Sequence, residues 1–300
     1  MSQKKVEKCV QNCYSSWSDN YYDNYYSEKA DYPPVHVPLL KKIIKKNKVT
    51  RLLDAGCGPA SLLRELFRLK IDLYGFDLTN EMVEEAKNIF VTSKRSADHI
   101  WKGSVLSPSS FKVPGKKKVY FDAVLCSGVL PHIEEKNDIK VIKNLKNAVK
   151  KNGLVVLEAR NELFSLFTAN RYSYDYFVEK LIQPNKLSKG NASKNKKLTK
   201  VLNEFKKQFR MDLPPLRRGQ STLGYDEVLS RTHNPLVLKK QFESQGFKDV
   251  KLYFYHYHAL PPMLEKQFPE LFKEWSLSME DPEDWRGHFM ASAFLLTGIK

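Results

Sequence analysis

The chain has 300 residues, 42% of them apolar, enough for one large α/β domain or two ordinary ones with a real core. Fifty Lys/Arg against 34 Asp/Glu leave a net charge of +16, and four cysteines (Cys9, Cys13, Cys57, Cys126) fit a reducing compartment better than a disulfide scaffold. No run of 18 apolar residues occurs, and the opening MSQKKVEKCVQNC has no apolar centre, so neither a membrane span nor a signal peptide is expected and the reading is cytoplasmic.

The first feature along the chain is YSSWSDNYYDNYY (14–26), with five tyrosines and one tryptophan in thirteen residues. Tyr14, Trp17, Tyr21 and Tyr25 recur at helical spacing. No basic residue lies between 9 and 28, which argues against phosphate tracking or an anionic lipid surface. Residues 1–34 therefore read as an aromatic lid helix, with Tyr21 and Tyr25 reaching a ligand; simple core packing is the alternative.

A core helix is expected over 35–46, followed by a strand in VTRLLDA (49–55) and a helix in ASLLRELFRLK (60–70). IDLYGFDL (71–78) is a second strand, and NEMVEEAKNIF (80–90) a helix with Asn80 as its cap. ADHIWKG is a weak third strand and YFDAVLCSG (120–128) a stronger fourth. IKVIKNLKNAVKKNG (139–153) reads as a helix stopped by Gly153, with LVVLEA (154–159) as strand five. This alternation implies a doubly wound, mostly parallel sheet.

The rhythm breaks over 160–232, a polar, basic segment read as a substrate-binding insertion. Within it, residues 186–218 carry 11 Lys/Arg and 2 Asp/Glu, so a single window supplies 9 of the 16 surplus charges. That concentration, with acids interleaved elsewhere, makes nucleic acid an unlikely partner and leaves attraction of an anionic small molecule open. Residues 233–300 complete the sheet, through a helix at 235–247 and strands at 249–260 and 289–299, with a short insertion at 261–288.

Ligands of open α/β sheets bind at the carboxyl ends of the strands, and the first such end reads LLDAGCGPASLL. Gly56 and Gly58 allow a sharp turn and close backbone approach. Asp54, just before that turn, would repel a pyrophosphate but suits the cationic amino and sulfonium groups of S-adenosylmethionine. Asp77, 21 residues beyond Gly56, can accept from both ribose hydroxyls, each bond worth about 1.5–3 kcal/mol before solvation losses.

Taken together, LLDAGCGPASLL, YGFDLTNEMVEEA, FDAVLCSGVLPHI and LKNAVKKNGLVVLEA resemble four successive motifs of class I, Rossmann-like S-adenosylmethionine-dependent methyltransferases of the small-molecule type. The resemblance covers about 49–159, and 235–300 as the last helix and two strands. It implies a seven-stranded sheet with an antiparallel last strand. By it, Asp54, Gly56 and Gly58 line the methionine part, Asp77 holds the ribose, and Leu78 and Met82 flank the adenine. Ser104 and Val105 face the adenine edge, and Ser127 completes the set. Two positions depart from the pattern. The third glycine of the loop is Ala60, tolerable at negative φ, and the acid after strand three is Ser104. ARNELFSLFTANRYSY, RTHNPL and YHYHALPP further resemble a subgroup of bacterial methyltransferases found among surface-polysaccharide genes.

A base for an alcohol acceptor should be a histidine. His132 follows strand four, His233 ends the insertion, and His256 and His258 share one face of strand six by simple alternation. His132, His233 and His258 are the catalytic candidates; His256 is a substrate contact. No metal set is assigned. Glu158, Arg160 and Asn161 emerge from strand five, and Arg160 suits an anionic group on the substrate. The expected activity is O-methylation of a small polar acceptor, most simply a sugar or glycan precursor, leaving S-adenosylhomocysteine. An N-acceptor, another metabolite or an RNA gripped by 186–218 is the alternative. Oligomeric state is not legible.

Overall fold

The structure, a computed structural model, describes residues 3–15, 21–27, 30, 32–116, 119–189, 191–213 and 228–300. Seven strands form one sheet: β1 (Arg51–Ala55), β2 (Asp72–Asp77), β3 (Ile100–Lys102), β4 (Phe121–Cys126), β5 (Val149–Arg160), β6 (Lys248–Tyr257) and β7 (Ala291–Ile299). Their order is β3-β2-β1-β4-β5-β7-β6. The first five run parallel, and β7 is antiparallel to both β5 and β6.

Strand alternation divides the core between the two faces. Leu53, Phe76, Val124, Val155 and Leu157 pack on one side with α6 (Asp138–Ala148) and α10 (Pro235–Ser244). Leu52, Leu73, Leu125 and Val156 pack on the other with α3 (His36–Lys46), α4 (Ser61–Leu66) and α5 (Asn80–Thr92). The order reverses at β1/β4, where Leu52 pairs with Ala123 and Asp54 with Leu125. That switch point opens a crevice at the strand ends.

Local chemistry sets the helix ends. Asn234 caps α10 by accepting from Leu236 and Val237 N–H, with Pro235 at the first helical position. The residue before α5 is Thr79, in extended conformation, so Asn80 is the first helical residue and not the cap. The expected helix over 139–153 ends at Ala148 instead. Val149 pairs with Phe121, and Lys150 reaches Asp122 at 2.5 Å, so strand pairing overrides helix propensity there. Gly153 stops no helix; a Cβ on it would lie 2.7 Å from the Val149 Cβ, so it lets the early part of β5 fold back closely.

The N-terminal segment forms two helices, α1 (Gln3–Tyr14) and α2 (Tyr21–Tyr25), and Trp17 lies outside the described residues. Between β5 and α10 the chain forms α7 (Arg171–Tyr176), a π-helical turn (Phe177–Ile182), α8 (Pro184–Ser188) and α9 (Ala192–Lys206). It rejoins the sheet edge where Asn161 bridges to His233. Between β6 and β7 lie α11 (Pro269–Ser278) and α12 (Gly287–Met290). Among the described residues no helix is long and apolar enough to cross a membrane.

Candidate active site

A cavity of about 640 Å³ opens at the carboxyl ends of β1, β2 and β4, beneath α1 and α2. Its floor is the turn after β1. Gly56 and Cys57 N–H both donate to Phe76 O, at 2.8 and 3.0 Å. Gly56 sits at φ 94, and a Cβ there would meet Val129 Cγ2 at 2.2 Å, so glycine is required on two counts. Ala60 closes the turn at φ 60, ψ 25, in the left-handed region, contrary to the negative φ expected of it. An alanine there costs about 1–2 kcal/mol of strain. It is tolerated in a fully buried turn whose N–H donates to Cys57 O.

Three carboxylates reach this cavity from the strand ends, and a fourth, Glu7, from α1. Asp54 is 2% exposed, and its Oδ1 has no hydrogen-bond partner among the described residues. Burial, then the neighbouring Asp77 and Glu158, pushes its carboxyl up to about 8. Asp77 is oriented by two backbone donors, Gly58 N–H to Oδ2 and Thr79 N–H to Oδ1, both at 2.9 Å. Burial raises it, and those donors oppose the rise. Glu158 accepts from Tyr255 Oη at 2.7 Å, from Gly128 N–H at 3.0 Å and from Ser127 Oγ. An orphaned, buried carboxylate is costly until a donor or cation reaches it. The ammonium of a methionine moiety fits Asp54 in charge and in hydrogen-bonding capacity, and the residues present therefore fit S-adenosylmethionine. Asp77, held rigid, is placed for ribose hydroxyls, and Leu78, Met82 and Val105 line the wall beyond it.

His132 lies in a short helical turn after β4, buried and on the cavity wall. Its Nδ1 is 2.7 Å from Leu229 O, which only accepts, so the ring proton sits on Nδ1. Nε2 is thereby left as an acceptor, and Tyr14 Oη donates to it at 2.9 Å. The last described stretch of the insertion holds this arrangement. Arg231 N–H donates to Pro131 O, its Nη1 to Ile133 O at 2.6 Å, and its guanidinium grips Asp138 through two bonds of 2.9 and 2.8 Å.

The wall on the β5/β6 side is aromatic. Tyr21, Tyr25, Tyr26, Tyr32, His36, Tyr255 and His256 all line the cavity, along with Arg160. Tyr21 packs on Tyr25 at 4.9 Å and Tyr32 stacks on His256 at 4.2 Å. Removal from water raises the phenols of Tyr21, Tyr26 and Tyr255 and lowers His36, with His256 drawn down to about 4. These groups are neutral at pH 7. His256 adopts φ 61 inside β6, an uncommon conformation for a non-glycine residue at a site wall. Simple alternation therefore fails locally: Tyr255 and Tyr257 enter opposite faces of the core, although the His256 and His258 rings do stack at 5.2 Å.

Not every candidate joins the cavity. His258 sits behind His256 against Phe164 and Phe272, and burial lowers it to about 3. His233 is 5% exposed, both ring nitrogens lack hydrogen bonds among the described residues, and burial holds it near 3. Asn161 spends its side chain on the backbone, donating to Gly287, His288 and Ala291 carbonyls and accepting from Leu163 N–H. These three correct the sequence expectation: they fasten the insertion to the sheet. Asp54, Gly56, Gly58, Asp77, Leu78, Met82, Ser104, Val105, Ser127, His132, Tyr21, Tyr25, Arg160 and His256 do converge.

Glu7, Tyr26, Tyr32, His36 and Tyr255 also line the cavity, and sequence pattern does not single them out. Tyr26 and Tyr255 belong to tyrosine-rich runs, the one local signal they carry; Glu7 carries none. The lysines of α9 are exposed and line no part of the cavity. Among the described residues no group of three or more His, Cys, Asp or Glu could hold a metal ion.

Comparison with known proteins agrees with this geometry. Residues 53–155 match the family profile described as a methyltransferase domain. A ubiquinone biosynthesis O-methyltransferase of Pelagibacter ubique is 27% identical over 192 residues, spanning 57% of this chain and 75% of its own. The mitochondrial ubiquinone biosynthesis O-methyltransferase of Schizosaccharomyces pombe is 27% identical over 188 residues, 58% of this chain and 65% of its own. In fold, magnesium protoporphyrin IX methyltransferase from Synechocystis PCC 6803, solved with bound S-adenosylhomocysteine, aligns at a TM-score of 0.51 and 12% identity, covering 98% of this chain and 99% of that one. The turn, the two aspartates and β4 lie inside the matched methyltransferase domain, and the chain is an S-adenosylmethionine-dependent methyltransferase with a Rossmann-like fold.

Proposed function

We propose that this methyltransferase O-methylates a small aromatic acceptor, a phenol, with His132 as general base. The observation that carries the reading is the Tyr14–His132 pair. A phenolic hydroxyl of the chain itself donates to Nε2 at 2.9 Å, at the wall of the cofactor cavity. An acceptor phenol that displaces Tyr14 would present the same group to the same nitrogen. The O-methyltransferase relatives and the tyrosine- and histidine-lined wall support an acceptor with a flat apolar face.

Bound S-adenosylmethionine supplies an electrophilic methyl group. The residues do the rest. Asp54 and Asp77 orient the donor, and the aromatic wall positions the acceptor, the contribution that dominates an in-line displacement. His132 takes the hydroxyl proton on Nε2, while Leu229 O holds Nδ1–H and steadies the charged ring. A base of this kind contributes about 10²–10⁴-fold. Arg160, beside the aromatic wall, would meet an anionic substituent on the acceptor. Residues 160–232 would then act as the substrate-binding insertion, because their end clamps His132.

A sugar or glycan precursor, the acceptor expected from sequence, is the second reading. Arg160 favours it, and aromatic faces also stack on sugar rings. The test is S-adenosylhomocysteine release across hydroxybenzoates, catechols, nucleotide sugars and glycan precursors, with wild type and His132→Gln. We expect phenol turnover, reduced about 10²–10⁴-fold in H132Q with cofactor affinity retained. Turnover of a nucleotide sugar in place of any phenol would overturn the aromatic assignment.

A further inference from the structure

The cavity has an order along its length. β1, β2 and β3 are successive neighbours in the sheet, so Asp54 and the glycine turn, then Asp77, then the segment after β3 follow one another along its edge, and Leu78, Met82, Val105 and Val10 make the lining toward β3 an apolar slot. Met82 and Val105 are almost wholly buried there. A ligand whose amino acid lies at Asp54 and whose ribose lies at Asp77 must put its base in this slot. Ser104 stands in the slot wall where an acid would be useful, and its single proton is already committed: Oγ donates to Glu7 Oε1 at 2.5 Å. Ser104 Oγ also accepts from Leu106 N–H at 3.2 Å. The hydroxyl therefore acts as a strut, and the carboxylate it steers belongs to Glu7, itself a lining residue of the cavity.

Glu7 does not act from a loose terminus. Glu7, Gln11 and Tyr14 fall on one face of α1, at i, i+4 and i+7. Each touches a different strand end. Glu7 meets Ser104 after β3, Gln11 Nε2 donates to Leu78 O at 2.9 Å after β2, and Tyr14 meets His132 after β4. The helix is thus laid across the slot in one register. A carboxylate offers about four lone-pair sites, so the bond from Ser104 leaves acceptor capacity.

We propose that Glu7 is the specificity-determining residue for the nucleobase, accepting from the exocyclic amino group of adenine. The proposal rests on S-adenosylmethionine as the cofactor. A helix remote in sequence then supplies the acid that the position after β3 lacks, and cofactor binding fastens α1 down. An amino group is a donor and matches a carboxylate; a 6-oxo purine presents an acceptor and is repelled by one.

The test is calorimetric titration with S-adenosylhomocysteine and with its 6-oxo analogue S-inosylhomocysteine, on wild type, Glu7→Gln and Ser104→Ala. Wild type should favour the adenosyl ligand by at least about tenfold, or about 1.4 kcal/mol. E7Q, whose amide can donate to the 6-oxo group, should bring that ratio to about one or invert it. S104A should weaken both ligands while preserving the preference. If E7Q weakens both ligands equally or loses both, Glu7 is a latch for α1 and the proposal fails. Failure of wild type to bind S-adenosylhomocysteine at all would instead remove the cofactor assignment beneath it.

Discussion

The orphaned carboxylate of Asp54 makes cofactor binding a proton-release reaction. Its carboxyl titrates near 8 because burial, Asp77 and Glu158 all disfavour the anion. At pH 7 roughly nine-tenths of the free protein carries that proton, whereas pairing with an ammonium requires the carboxylate. Affinity for S-adenosylhomocysteine should therefore tighten about tenfold from pH 6 to 7, about fivefold from 7 to 8, and little above that. Titration calorimetry in buffers of differing ionisation enthalpy reads the protons directly: close to one released per site at pH 6 and 7. 5′-Methylthioadenosine keeps the adenine and ribose but has no amino acid, so its binding should release none. The same group bears on stability. Its folded value lies above the unfolded one, so the native state holds the extra proton between about pH 4 and 8, and stability falls through this group as pH rises across that window. Asp54→Asn should abolish proton release and most of the affinity advantage of S-adenosylhomocysteine over methylthioadenosine, yet raise the melting temperature of the ligand-free protein at pH 8. Buffer-independent heats with a flat affinity profile from pH 6 to 8 would refute the reasoning.

Glu158→Gln removes one of the charges that raise Asp54, so the pH midpoint of proton release, measured by the same titrations, should move down. Gly56→Ala forces a Cβ to within 2.2 Å of Val129 Cγ2 at φ 94, and should destabilise by about 2–5 kcal/mol in urea unfolding. Val129→Ala in the same chain should recover part of the loss. Arg231→Ala leaves Asp138, 3% exposed, without its two guanidinium bonds, and should cost about 3–5 kcal/mol in the same assay.

Much of the fold follows from residues near in sequence. The strand at 51–55 is an apolar run closed by a glycine turn, and α10 begins at an Asn-Pro cap; both signals are local, and both were legible. So was the cofactor end, because the turn, Asp54 and Asp77 sit at strand ends whose spacing is set by the βαβ unit itself. Where prediction failed, a distant partner decided. Val149 leaves its helix to pair with Phe121, Ala60 is held left-handed in a buried turn, and His256 at φ 61 sends Tyr257 to the other face of the sheet. The histidines show the same limit. In sequence His132, His233 and His258 are equal candidates, and only tertiary contacts give His132 a defined tautomer and a cavity wall while leaving the other two off that wall. Glu7 is the extreme case. Nothing near it in the chain marks it, and its meaning comes from Ser104, 97 residues away, which the packing of α1 across three strand ends brings to 2.5 Å. Sequence by itself determined the sheet, the turn and the class of ligand, because each depends on residues a few positions apart. Only the tertiary structure brings His132, the aromatic wall and Glu7 to one cavity, because those contacts join segments that the chain keeps far apart.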